Sequence, residues 1–231
     1  VQMKGYSAMD VLEKTFFFET SRESEIDDHF FQVELESIHH GDRIDDLLNE
    51  ERVRQWLSFV APVPFDNRFY QRNRIKKFVN NRDYKIDEYA VTLNETRIFK
   101  GYRTNYHSSK SKQDNIRDLA FKELKDKKGT TIAWLWYALT EFQGAISGQD
   151  RLLAGIRIRV GNIQIGDADI LRDLYKEERF CGYVIGEMYI LPEAGLRPNG
   201  QRDSFNDSER FSELKDAFRE VAKEIGKLCR D

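Results

Sequence analysis

The chain has 231 residues, 40% hydrophobic and 33% charged, with a formal net charge of -3. That length suits one large domain or two modest ones, and an aromatic content of 13% excludes a disordered, solvating chain. Its longest apolar runs fall well short of the ~20 residues of a membrane span, and no charged, apolar, small-residue pattern marks a secretory signal.

Residues 15–19 and 30–38 read as strands. In the second, Phe31, Val33 and Leu35 alternate with Gln32, Glu34 and Glu36, the period of a half-buried strand. Ile44, Leu47, Leu48, Val53, Trp56, Leu57 and Val60 recur mostly at helical spacing, which predicts a helix over 42–59 that Pro62 and Pro64 end. A second helix is expected over 67–79. Segments 88–93 and 97–102 flank Asn94-Glu95-Thr96 as a hairpin, and 116–125 and 130–139 form a longer one across Asp126-Lys127-Lys128-Gly129. Two strands follow, near 155–165 and 183–191, with a short helix over 168–175 between them. Last comes an amphipathic helix. Asn206 with Glu209 reads as a capping box, and Phe211, Leu214, Phe218, Val221, Ile225 and Leu228 recur at steps of three and four. At under three heptads that stripe reads as a face docked on a sheet rather than a coiled-coil seam. Strands in a run with helices interspersed predict an α+β fold, a mixed β-sheet with packed helices.

Charge is segregated along this layout. Residues 19–51 hold twelve acids against two arginines, while 68–112 hold twelve Lys and Arg against four acids. The basic block interleaves Phe69, Tyr70, Phe78, Tyr84, Tyr89, Phe99, Tyr102 and Tyr106 with its cations. Such a mixture suits a single-stranded nucleic acid or a phosphate ligand, with Arg68, Arg72, Arg74, Lys76 and Lys77 as candidate contacts. The plainer reading, which we favour, puts the rings in the core and the cations on a solvated face. The two blocks could also face one another within the fold or across a homodimer.

Recognisable catalytic chemistry is sparse. No GxxxxGK[ST] loop occurs, and Gly161, Gly166, Gly182, Gly186 and Gly195 make no G-x-G fingerprint. The histidines His29, His39, His40 and His107 lack a second ligand at i+4, and the His39-His40 pair reads as a turn, so no metal site is expected. Cys181, placed on a strand, and Cys229, on the last helix, are too few and too far apart for a disulfide framework or a zinc site. They read as buried, inert thiols in a cytoplasmic protein. The chain opens Val1-Gln2, with its first methionine at Met3, and is expected to be a fragment of a longer product.

The most specific stretch is 154–205. It runs AGIRIRVGNIQIGD, a short charged segment, then RFCGYVIGEMYILPEAGLRPNGQRDSF. This resembles the end of the middle-domain core in the ninety-kilodalton heat-shock chaperones, where a Gly-containing strand enters a loop of the form Leu-x-x-Asn-x-x-Arg-acid. Here the loop residues are Leu196, Asn199, Arg202 and Asp203. Residues 30–38 followed by ERVRQWLSFVAPVPFD resemble the exit from a GHKL-type nucleotide domain into its transducer domain.

The resemblance implies a second domain with a ribosomal-protein-S5 domain 2-like core over 61–231, preceded over 1–60 by the tail of a nucleotide domain and a connecting helix. It implies a transducer that couples nucleotide state to a client or partner protein. Arg202 would reach the γ-phosphate of ATP held by the protein's own N-terminal nucleotide-binding domain. Asn199 would support the loop turn, and Asp203 would hold the guanidinium until nucleotide arrives. ATP and Mg are expected in the intact ATPase but not in this chain, which has no asparagine-bearing helix, Asp-x-Gly-x-Gly or Gly-rich lid and is expected to be inactive alone.

Overall fold

Asn49 caps helix α1, Glu50–Val60: its side-chain oxygen accepts from the Arg52 N–H, 3.1 Å away, and Glu50 and Glu51 occupy the first turn, where the helix dipole favours acids. The computed structural model describes residues 49–108, 112–206 and 208–230, which fall in a unit spanning Asp42–Asp231. The strands expected at 15–19 and 30–38, the first turns of the helix expected over 42–59, and His29, His39 and His40 lie outside the described residues. Helix α2, Arg72–Asn81, starts later than expected, because Asp66 accepts from the Arg68 N–H and turns the chain first.

Thr92–Leu93 (β1) and Thr96–Arg97 (β2) pair across a two-residue turn in which Asn94 and Glu95 both have positive φ, 47° and 63°. The hairpin expected over 88–102 is therefore short. Ile98, Lys100 and Tyr102 leave it to become buried. Asn105–His107 (β3) and Gln113–Asn115 (β4) form a small ladder that alternation did not reveal.

Asp118–Lys125 (β5) and Thr131–Leu139 (β6) make the expected long hairpin. Asp126 Oδ1 accepts from the Lys128 and Thr130 N–H groups, and Gly129 turns at φ 84°. The single strand expected over 155–165 is two, Gly155–Val160 (β7) and Ile163–Ile165 (β8). Gly161 and Asn162 fold them back at φ 54° and 61°. The helix expected over 168–175 is only a turn and a 3-10 segment, Arg172–Leu174. Cys181 sits in the 3-10 helix Glu178–Tyr183, ahead of the strand Ile185–Ile190 (β9). Helix α3, Ser208–Leu228, begins two residues beyond Asn206, whose side-chain amide donates to the Pro198 carbonyl.

Five strands join in the order β5-β6-β9-β7-β8; β7 and β9 are parallel and every other neighbouring pair is antiparallel. Alternate residues of β6 serve opposite cores. Leu135 and Tyr137 pack with Leu214, Phe218, Val221 and Ile225 of α3, while Trp134 and Trp136 pack with Phe59, Phe69 and Ile75 on the side of α1 and α2. That double burial explains why TIAWLWYAL reads as a continuous apolar run. At Gly186 of β9 a Cβ would stand 2.4 Å from the Trp136 carbonyl oxygen, so only glycine lets the two central strands approach. The fold is α+β, a mixed sheet with helices on both faces and an amphipathic helix at its carboxyl end.

Candidate functional site

Beyond β9 the chain turns at Gly195 and rises into a small loop closed by the Pro198–Phe205 bridge. Asn199 is its centre. Its N–H donates to Ser204 O and its carbonyl accepts from the Arg202 N–H, each at 3.0 Å. Its side-chain oxygen accepts from the N–H groups of Asp203 (3.2 Å) and Ser204 (3.4 Å). Arg202 is held at φ 57°, a left-handed conformation that costs a non-glycine residue about 1–2 kcal/mol. Its carbonyl accepts from the Gly166 N–H at 2.8 Å, which ties the loop to the end of β8.

Asp203 does not hold the guanidinium. Its carboxylate accepts from the Asn199 side-chain amide at 2.5 Å, so both flanking residues serve the turn. Arg202 is exposed, and its guanidinium has no hydrogen bond or ion pair among the described residues. It lines a groove of ≈ 1520 Å³ together with Trp56 and Phe59 of α1, Arg151 and Leu152. Trp56 is 61% exposed there.

The sheet also holds a buried charge cluster whose residues are far apart in the sequence. Glu187 is fully buried on β9 and meets two cations, Lys100 and Arg159, both also fully buried. Lys100 Nζ donates to both carboxylate oxygens at 2.9 Å, to Asn162 Oδ1 at 2.8 Å and to the Tyr189 hydroxyl at 3.1 Å. Tyr102 and Tyr189 donate their hydroxyl protons to the same carboxylate at 3.0 and 2.5 Å. Arg159 donates to Glu187, to Asn162 O at 2.9 Å and to Phe59 O at 2.6 Å. The cations and hydroxyls overcome the desolvation that opposes charging Glu187 and hold its carboxyl down at about 2. Burial, reinforced by Arg159, pushes Lys100 down to about 7 despite its carboxylate partner. Since every charged group in this cluster is hydrogen-bonded inside the protein, it is a clasp rather than a reactive centre. Its one visible trace in the sequence is the alternation of Arg157 and Arg159 with Ile156 and Ile158 beside a lone Glu187 in an apolar strand.

The basic block divides. Phe69, Tyr102 and Tyr106 are buried, and Phe78 and Tyr84 pack against the same core, but Tyr70 and Tyr89 stand 76% and 60% exposed. Arg68 pairs with Asp66, Arg74 with Asp118, and Arg72 donates to Asp66 O at 3.4 Å; Lys76 and Lys77 lie exposed on α2. None of these five lines the Arg202 groove. His107 is bonded to Asp150 at 2.8 Å, and among the described residues no group of three or more His, Cys, Asp or Glu is placed to hold a metal ion. Burial pushes both thiols, Cys181 and Cys229, up to about 12, which keeps them protonated at neutral pH.

No family model matches this chain, and no curated protein matches it. Among the described residues no helix is long and apolar enough to cross a membrane.

Proposed function

We propose that the chain supplies the transducer, or middle, segment of a heat-shock-chaperone-like GHKL ATPase, with an S5-like core and with Arg202 as its γ-phosphate-sensing arginine. The observation that carries this reading is the state of Arg202: an exposed guanidinium without a protein partner, on a strained residue that a hydrogen-bonded loop holds at the rim of a groove. Strain retained at an unpaired arginine is what a ligand-directed residue requires, since a merely structural turn would be served better by glycine.

Arginine keeps its charge at any physiological pH and offers a planar fork of donors that matches a phosphate. Delivered from a second domain, it makes hydrolysis conditional on domain closure. The clasp fits this role, because it ties the end of α1, the connecting helix in this reading, to the centre of the sheet that carries the loop. A displacement of α1 then reaches Glu187 on β9, and β9 leads directly into the Arg202 loop. In the ATPase that joins this segment to its nucleotide domain, Arg202→Ala slows ATP turnover. An unchanged rate would refute the proposal.

A further inference from the structure

A second groove, of ≈ 800 Å³, opens on the segments around 66–70 and 96–105. Its charge is one-sided: Arg54, Arg68, Arg97, Lys100 and Arg103 line it against a single carboxylate, Asp66. Lys100 is committed to the clasp, but the arginines are not equally engaged. Arg97 has no ion pair among the described residues and lies 5.3 Å over the Phe99 ring. Arg68 and Arg103 are paired with Asp66 and Asp150, yet their side chains remain 90% and 60% exposed. The carboxylates are covered, Asp66 to 18% and Asp150 to 3% exposure, so a phosphate would add to the outward-facing donors of each guanidinium without displacing its partner. Thr104 Oγ1, also on the groove wall, is buried without a hydrogen-bond partner. Tyr70, 76% exposed, presents a ring at the same groove.

We propose that this groove binds single-stranded nucleic acid, with phosphates on Arg68, Arg97 and Arg103 and a base stacked on Tyr70. A cationic trough beside an exposed ring is the combination that single strands use, because every base has a face to stack and every linkage a phosphate. The groove's cations come from α1 (Arg54), β2 (Arg97) and the connecting segments (Arg68, Lys100, Arg103), so they line a trough that a flexible single strand can follow. The assignment rests on residues other than those of α2, and it is independent of the Arg202 reading.

The test is fluorescence polarisation of a labelled twelve-residue oligothymidylate with the 231-residue chain, from 50 to 200 mM salt. Three phosphate contacts at about 0.7 each predict a log–log salt slope of about -2. Arg97→Ala and Arg103→Ala should each weaken binding and flatten that slope by about 0.7. Tyr70→Ala should weaken binding about tenfold while leaving the slope unchanged, since the ring carries no charge. Substituting Lys76 and Lys77 together by Ala should change nothing. Absence of binding at 50 mM salt would overturn the proposal, as would losses that follow Lys76 and Lys77 instead of Arg97. Competition by inorganic polyphosphate together with an unaffected Tyr70→Ala variant would also overturn it, by reducing the groove to a polyanion site.

Discussion

Arg159 donates a hydrogen bond to the carbonyl oxygen of Phe59, 2.6 Å away and 100 residues earlier in the chain. Phe59 lies in the last turn of α1, where carbonyls have no intrahelical partner and a cation complements the helix dipole. The same guanidinium bonds Glu187 in the middle of the sheet. One side chain therefore finishes a helix and anchors it.

The clasp holds two cations and one carboxylate, and this inequality sets the order of its mutants. Glu187→Gln leaves Arg159 buried without a counter-charge and releases the proton of Lys100, and should cost about 3–5 kcal/mol, the usual penalty for an orphaned buried charge. Lys100→Met leaves the Arg159–Glu187 pair intact and should cost less, about 1–3 kcal/mol. Urea denaturation of the two variants checks the order. Equal losses would mean that packing, not charge balance, governs the site.

Lys100 also predicts a pH dependence. Its folded value of about 7 lies below the ordinary 10.5 because burial and Arg159 outweigh Glu187, with Glu88 a smaller attraction. Between those limits the unfolded chain keeps a proton that the folded chain has released, so stability rises with pH. Above about 9 the opposite holds for Cys181 and Cys229, and above about 10 for Tyr102 and Tyr189. Their raised values mean that the folded chain keeps protons the unfolded chain loses. Stability should therefore climb by about 1–2 kcal/mol from pH 7 to 9 and then fall. Lys100→Met should abolish the climb but keep the fall. On the acid side, Glu187 at about 2 adds a loss that begins as pH drops below 4.5.

What could be read from the sequence depended on how local its cause was. The β5–β6 hairpin was legible because a turn of Asp126 to Gly129 separates two strands that pair directly. The β7–β8 turn was not, since Gly161-Asn162 interrupts an apolar run too briefly to break its pattern. The rings of the basic block divided because burial is decided by which sheet face each segment covers, and that is a tertiary property. Arg202, Asn199 and Asp203 were legible as a loop, but the Asn199–Asp203 bond that leaves Arg202 unpaired was not. The clasp left only the trace of charges within apolar strands, because Lys100, Arg159 and Glu187 come from three segments far apart in the chain.

Helix α3 closes one core with Leu214, Phe218, Val221, Ala222 and Ile225, of which Leu214, Phe218 and Ile225 are fully buried against the sheet. Phe218→Ala should cost about 3–5 kcal/mol, comparable with the lower end of a domain's whole margin of about 5–15. A loss below about 1 kcal/mol by chemical denaturation would show that α3 is not docked there.

The strain at Arg202 has a measurable sign. Glycine there removes a left-handed penalty of about 1–2 kcal/mol and adds about 0.5–1 of unfolded-state entropy, so Arg202→Gly should stabilise the chain by about 0.5–1 kcal/mol. Gly166→Ala should act oppositely. A Cβ there would lie 2.5 Å from Ile170 Cδ1 and 3.0 Å from Asp203 O at φ +65°, pushing against the loop that carries Arg202. Thermal unfolding of both variants decides it, and a destabilised Arg202→Gly would show that the arginine side chain serves the fold.

The most direct test of the phosphate-sensing role compares Arg202→Ala, Arg202→Lys and Arg197→Ala in the ATPase that contains this segment, measuring turnover and nucleotide affinity separately. A group that meets the γ-phosphate only on domain closure affects the rate and leaves ground-state binding to the nucleotide pocket. Arg202→Ala should therefore lower kcat about 10–100-fold with nearly unchanged affinity. Arg202→Lys should recover little, since a point charge does not reproduce the planar fork. Arg197, whose carbonyl accepts from the Asn206 N–H in the same loop, should tolerate alanine. Equal losses at Arg197 and Arg202, or full activity in Arg202→Ala, would contradict the account.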